Sequence, residues 1–192
     1  MESIGKSPKI YFISGKARHG KTTTANLIKD EYERIGKRVA ITSYAKYIKE
    51  YARSFFGWDG REETKPRELL QHLGTEIIRQ KLNMPHFFVD RMIQDIKIMA
   101  YFFDVIIIDD ARFEIEIEIP KSVFSNVTSI KLVRENFDNG LDEDEENHLT
   151  EISLDNYSKF DYVIKNNGLV KDLLKQITPI INKEEEQHEK YE

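Results

Sequence analysis

The chain alternates short apolar runs with longer stretches in which apolar positions recur every three or four residues. Ile10-Tyr11-Phe12-Ile13 stops at Ser14-Gly15, which reads as a buried parallel strand feeding a glycine turn. From Lys21 to Ile35 the apolar residues Ala25, Leu27, Ile28, Tyr32 and Ile35 fall at helical spacing, and Gly36 supplies a stop. Val39-Ala40-Ile41 predicts a second strand, and Tyr44 to Phe56 an amphipathic helix broken by Gly57-Trp58-Asp59-Gly60. Further helices are predicted from Pro66 to Leu82, in spite of Gly74, and from Phe87 to Phe102. Val105-Ile106-Ile107-Ile108 is apolar enough for a strand covered on both faces and ends in Asp109-Asp110. Ser129 to Val133 and Tyr162 to Ile164 are two more strands, and Leu169 to Ile181 a last helix.

This alternation predicts an α/β fold in three layers, with a central, mostly parallel sheet, helices on both faces and right-handed crossovers. Residues 1–182 read as one domain and 183–192 as a charged, disordered tail. Two segments depart from the pattern. Glu114 to Ile119 alternates charged and apolar residues, as an edge strand with one acidic face would. Asp138 to Glu146 is an acidic loop placed where a mobile lid could lie, with a solvated surface loop as the plainer reading.

Composition narrows the function. A chain of 192 residues is long enough for one sizeable core. A formal net charge of −5 argues against general nucleic-acid binding, which rests on a surplus of Lys and Arg, so any phosphate site must be local. With no cysteine, disulfides, thiolate nucleophiles and thiolate metal sites are excluded. Met1 to Lys6 lacks the apolar core of an export signal, and no run reaches the ~18 apolar residues of a membrane span. The expectation is a cytoplasmic protein with no membrane partner. A homodimer stays open.

The sharpest chemical signal is Gly15-Lys16-Ala17-Arg18-His19-Gly20-Lys21-Thr22, which fits G-x-x-x-x-G-K-[ST] between a predicted strand and a predicted helix. At ordinary residue frequencies a random match in such a chain has odds on the order of one in a hundred. The glycines let the backbone wrap closely around phosphate, and the helix N-terminus that follows, through Thr23, offers unpaired N–H groups to the anion. Lys21 supplies a compact cation to the β- and γ-phosphates of ATP, and Thr22 a hydroxyl to Mg²⁺. The competing reading is a glycine turn that merely caps a helix. Asp109 and Asp110, ending the most apolar strand, are candidates to hold the Mg²⁺ shell beside that loop, either one or both.

The middle of the chain resembles a known family. Glu63-Thr64-Lys65-Pro66-Arg67-Glu68-Leu69-Leu70-Gln71-His72-Leu73-Gly74-Thr75-Glu76-Ile77-Ile78-Arg79 is similar to the R-x-x-L-Q-x-x-G-T-x-x-x-R stretch of deoxynucleoside monophosphate kinases from tailed phages and their bacterial relatives. Asp109-Asp110-Ala111-Arg112-Phe113-Glu114-Ile115-Glu116 resembles their D-x-R-F-x-x-E sequence, and Phe160 to Gly168 their last strand and turn. The resemblance implies a three-layer P-loop kinase that transfers the γ-phosphoryl group of ATP to a small nucleotide acceptor, a (deoxy)nucleoside monophosphate. It implies an acceptor-binding helical region at 44–102, a lid at 135–151, and Asn166 beside the donor nucleotide. Arg67, Gln71, Thr75, Arg79 and Arg112 would shape the acceptor pocket, with Lys21, Asp109, Arg79 and Arg112 catalytic.

Two departures from the family pattern stand out. Tyr44-Ala45-Lys46-Tyr47-Ile48-Lys49 replaces an F-A-D-P-L-K-like stretch, and the lid segment carries no arginine, which leaves Arg134 or Arg18 to substitute. Two further readings are a kinase of phosphomevalonate or dephospho-coenzyme A type and a slow nucleotide-dependent regulatory ATPase.

Overall fold

The computed structural model describes residues 7–189. Within them five parallel strands form one sheet in the order β2-β3-β1-β4-β5. These are β1 Lys9–Ser14, β2 Val39–Thr42, β3 Val105–Ala111, β4 Val127–Val133 and β5 Tyr162–Lys165. The helices are α1 Lys21–Arg34, α2 Lys46–Phe56, α3 Arg67–Gln71, α4 Phe87–Met99, α5 Ile115–Val123, α6 Glu143–Glu146, α7 Leu149–Ile152 and α8 Val170–Glu189. A π-helical segment, His72–Lys81, continues α3 without a break.

Strand alternation distributes the core. Tyr11, Ile13, Val105, Ile107, Ile130 and Leu132 face Ala25, Ile28 and Tyr32 of α1 and Leu173 and Ile177 of α8. Ile10, Phe12, Ile106 and Ile108 face Phe88, Val89, Met92 and Ile96 of α4 and Ile117 of α5. Both faces of β1 and β3 are therefore buried, which is why these strands read as unbroken apolar runs. β1 leads through α1 to the β2 side of the sheet, whereas β3 leads through α5 to β4 on the other side of β1. The carboxyl ends of β1 and β3 thus flank a topological switch point, where open α/β sheets bind their ligands.

Four expectations are corrected. Glu114 to Ile119 is not an edge strand: it enters α5, which holds Pro120 in its interior. Proline removes the N–H that would bond the carbonyl four residues back, and the hydroxyl of Tyr44 donates to that carbonyl, of Glu116, at 2.6 Å instead. The helix predicted from Pro66 to Leu82 changes to π geometry at His72, where the Gly74 carbonyl accepts from Arg79 Nη1 five residues on, at 2.9 Å. A methyl group on Gly74 would lie 3.3 Å from Ile48 of α2, so glycine allows this close approach. The helix predicted to reach Phe102 ends at Met99. The tail expected to be disordered from 183 is helical as far as Glu189. It is held because Lys9, almost fully buried, needs an anion and finds Glu185 at 3.1 Å. Glu184 meanwhile accepts from Thr128 Oγ1 and from the Tyr162 hydroxyl, both at 2.9 Å. The reading of Met1 to Lys6 lies outside the described residues.

Candidate active site

The turn after β1 is built for glycine. Gly15 has φ +150°, and a methyl group there would meet the Leu132 carbonyl at 2.8 Å; Gly20 has φ +97° and would drive one into the Asn166 amide. Asn166 Nδ2 donates to the His19 carbonyl at 2.9 Å, so the residue after β5 fastens the loop from outside. Lys21 opens α1 and turns back, Nζ donating to the Gly15 and Lys16 carbonyls at 2.8 Å each. Burial, and after it the Arg112 charge, pull the lysine down to about 7. His19 is lowered too, by burial, and its Nδ1 lies 3.2 Å from the Arg134 main-chain nitrogen and 3.4 Å from the Leu132 carbonyl. Arg18, at φ +58°, donates to the Asn139 carbonyl at 2.8 Å. Arg134 stacks on Phe137 with 3.7 Å between guanidinium and ring centre.

The two aspartates ending β3 divide. Thr22 Oγ1 donates to Asp109 Oδ2 at 2.9 Å, which brings the loop hydroxyl and one carboxylate together. Asp110 instead accepts the main-chain N–H groups of Tyr44 and Ala45 at 2.7 and 2.9 Å. Its carboxylate holds the two N–H groups that lead into α2, while both aspartates face the same cavity.

In front of these groups lies a cavity of about 340 Å³. Arg67, Gln71, Thr75 and Arg79, four residues apart along α3 and the π-helical segment, all line it, opposite Ala17, Lys21, Thr22, Asp109 and Arg112. Thr75 Oγ1 is buried there with no hydrogen-bond partner among the described residues. Lys49 and Lys65 join the arginines in the wall, a local basic surface in an acidic protein.

Arg79 sits deeper than a substrate clamp would. Its guanidinium lies between the Phe88 and Phe113 rings, 4.4 and 4.2 Å from their centres, and Nη2 donates to Glu116 Oε1 at 2.7 Å. Glu116 Oε2 also accepts the N–H groups of Arg112 and Phe113 at 2.7 and 3.1 Å. One buried carboxylate thus ties the wall from Arg67 to Arg79 to the turn that carries Arg112; burial pushes Glu116 up to about 7, against the opposing pull of Arg79. Arg112 points to the loop: Nη1 is 2.7 Å from Glu151 Oε1 and donates to the Thr150 carbonyl at 3.2 Å.

With this geometry in place, the family model for deoxynucleotide monophosphate kinase matches residues 41–177, well over half of the chain. The chain belongs to the deoxynucleotide monophosphate kinase family. It is therefore a phosphotransferase acting on a deoxynucleoside monophosphate, and the family decides against the phosphomevalonate, dephospho-coenzyme A and regulatory ATPase readings. No curated protein matches it. Among solved structures it resembles the adenosine phosphosulfate (APS) kinase CysC of Mycobacterium tuberculosis in complex with AMPPNP and APS. The identity is 8 %, the coverage 92 % of this chain and 98 % of that chain, and the TM-score 0.54. It also resembles shikimate kinase from Bacteroides thetaiotaomicron, at 14 % identity, 91 % and 98 % coverage and a TM-score of 0.50. At such identities the likeness shows the fold alone, that of the P-loop kinases.

The kinase gathers the glycine loop, Asp109, Arg67, Gln71, Thr75, Arg79 and Arg112 around one cavity and sets Asn166 against the loop. Thr23 continues α1 as its third residue and is exposed. The sequence reading passed over Glu116 and Glu151. Glu116 had a signal, as the last residue of the Asp109-to-Glu116 motif; Glu151, at the end of the lid segment, had none. Among the described residues no helix is long and apolar enough to cross a membrane.

Proposed function

We propose that the kinase transfers the γ-phosphoryl group of ATP, held with Mg²⁺ on the loop Gly15–Thr22, to the 5′-phosphate of a deoxynucleoside monophosphate. The acceptor would lie against Arg67, Gln71 and Thr75. The observation that carries this reading is one cavity lined by Ala17, Arg18, Lys21 and Thr22 of the glycine loop with Asp109, and by the four-residue stripe from Arg67 to Arg79. The AMPPNP complex of the tuberculosis kinase supports ATP as the donor.

An oxygen of the acceptor phosphate attacks the terminal phosphorus of ATP, the bond to the bridging oxygen breaks, and ADP and a deoxynucleoside diphosphate leave. No covalent intermediate with the protein is needed; the work is alignment and charge neutralisation. Lys21 and the N–H groups at the start of α1 neutralise the donor phosphates. Arg112 and Arg67 grip the acceptor phosphate in the planar two-pronged geometry of guanidinium. Gln71 and the unpaired hydroxyl of Thr75 supply hydrogen bonds to the nucleoside. Arg79 acts through Glu116, as a positioning residue.

Thr22 and Asp109 fit Mg²⁺, because a hydroxyl and a carboxylate already 2.9 Å apart are hard oxygen donors of the kind this ion takes together with phosphate oxygens. The ion would neutralise charge on the donor phosphates. A kinase of cellular nucleotides with no cysteine suits the reducing cytoplasm. Coupled ADP release measured over the four deoxynucleoside monophosphates and their ribose counterparts tests the reading. At least one deoxynucleotide should accelerate ADP release by orders of magnitude; no acceleration by any of them sinks it.

A further inference from the structure

Glu151 holds two groups that a phosphate of the substrates would claim. Its Oε2 accepts the main-chain N–H of Ala17, inside the glycine loop, at 2.8 Å. Its Oε1 pairs with Arg112 Nη1 at 2.7 Å, and the glutamate side chain is only 7 % exposed. The segment is fastened on either side of this contact, by the Thr150 carbonyl on Arg112 and by Asp155 on Lys16 at 3.2 Å. A main-chain N–H makes one good hydrogen bond. Ala17 can therefore serve the carboxylate or a phosphate oxygen, and two anions at that spot repel each other in poorly screened surroundings. Arg112 faces the same choice between Glu151 and a substrate phosphate.

The segment that carries Glu151 is suited to letting go. α6 and α7 are single turns with no buried residue, and helices this short draw little stability from themselves. Their own apolar side chains, Leu149 and Ile152, are 45 % and 37 % exposed, and the segment enters the core only from Leu154 onward. By contrast the main chain of Arg112 is held independently of Glu151, its N–H bound to Glu116 at 2.7 Å.

We propose that Glu151 is an exchangeable internal anion of the phosphate site, displaced from Ala17 and Arg112 when a nucleoside triphosphate binds, so that donor binding frees Arg112 for the acceptor phosphate. This rests on the reading of Gly15–Thr22 as the donor site. Occupation of the loop and availability of the arginine are then coupled through one carboxylate. The coupling also supplies the order that a kinase without an arginine in its lid requires: the cation becomes free only when there is a phosphoryl group to transfer.

The opposite role for Glu151 is a fixed clamp that keeps the loop in shape, and the two differ in the sign of a measurement. Binding of AMPPNP with Mg²⁺ is followed by titration calorimetry in the wild type, Glu151→Gln, Glu151→Ala and Lys21→Ala. Exchange predicts AMPPNP binding roughly five- to tenfold tighter in both Glu151 variants, together with a lower acceptor KM in Glu151→Gln. A gain in affinity has the opposite sign to the loss expected on removing a clamp, and the lower acceptor KM ties it to the release of Arg112. Equal or weaker binding in both Glu151 variants, beside a wild type whose binding is weakened at least tenfold in Lys21→Ala, overturns the exchange and leaves the donor site standing. Binding that survives undiminished in Lys21→Ala overturns the donor-site reading and the exchange with it.

Discussion

Arg79 and Glu116 form a buried ion pair at 2.7 Å, with side chains 15 % and 2 % exposed, at the junction of the wall from Arg67 to Arg79 and the turn after β3. The arginine is flanked by Phe88 and Phe113, and the carboxylate holds two main-chain N–H groups besides. Its consequences are mechanical first. The pair fixes where Arg112 starts from, and it does so from a position that no solvent-screened contact could hold.

Removing the cation should therefore cost stability before chemistry. Arg79→Met leaves Glu116 buried without its partner, a loss of about 3–5 kcal/mol, and a fall in Tm on the order of 10 °C. The double variant Arg79→Met/Glu116→Gln should lose less than the sum of the two single changes, since the pair is coupled. Urea denaturation of the three variants measures this; strict additivity would mean that the contact contributes nothing of its own.

The pH dependence has a definite sign. Glu116 is raised from 4.5 to about 7, mainly by burial, so the folded protein holds this proton more tightly than the unfolded chain does. The group's contribution to stability accordingly falls as pH rises from about 4.5 to 7. Activity should move the other way. A protonated Glu116 accepts less well from Arg79 and from the Arg112 turn, so acceptor kcat/KM should drop as pH falls below about 7, and Glu116→Gln should lose that inflection. Profiles of the two proteins on the same acceptor separate this from titration of the acceptor phosphate; superimposable profiles would rule it out.

Lys21→Ala should abolish phosphoryl transfer and weaken AMPPNP at least tenfold to a hundredfold, the worth of ~1.5–3 kcal/mol for a charge-assisted contact. Because among the described residues Nζ bonds to the carbonyls of its own loop, Gly15 and Lys16, the fold should survive, with an unchanged far-ultraviolet dichroism spectrum. Activity within tenfold of the wild type would contradict the donor site.

Asp109 and Asp110 should separate in a way that their adjacency hides. Asp109→Asn should raise the Mg²⁺ concentration needed for half-maximal rate, with little change in Tm. Asp110→Asn keeps one acceptor for two N–H donors, those of Tyr44 and Ala45, and should cost about 1–3 kcal/mol of stability with the Mg²⁺ requirement unchanged. Mg²⁺ titrations and thermal melts on both variants check this pair of outcomes; a reversed pattern would exchange their roles.

The elements most legible in the sequence are those whose pattern has one physical solution. Ile10 to Ile13 and Val105 to Ile108 read as strands covered on both faces, and the glycine loop between strand and helix fits the G-x-x-x-x-G-K-[ST] pattern along its whole length. The four-residue spacing of Arg67, Gln71, Thr75 and Arg79 likewise places them on one wall, as the cavity shows. Glu114 to Ile119 misleads because a charged–apolar alternation signals a strand only when every charge faces water. Here Glu116 is buried against Arg79, and Tyr44 caps the carbonyl that Pro120 leaves open.

What the sequence by itself determined is the class of chemistry: a phosphate loop, a parallel α/β sheet to carry it and an arginine-rich helical wall to face it. Those are set by local pattern, since each depends on residues within a turn or two of one another. Only the tertiary structure decided which carboxylate does what. Asp109 meets Thr22 across 87 residues, Asp110 caps α2 across 65 and 66, and Glu151 reaches Ala17 across 134. A carboxylate's role is fixed by the donors and the burial that the fold brings to it, and neither is written in its neighbours along the chain.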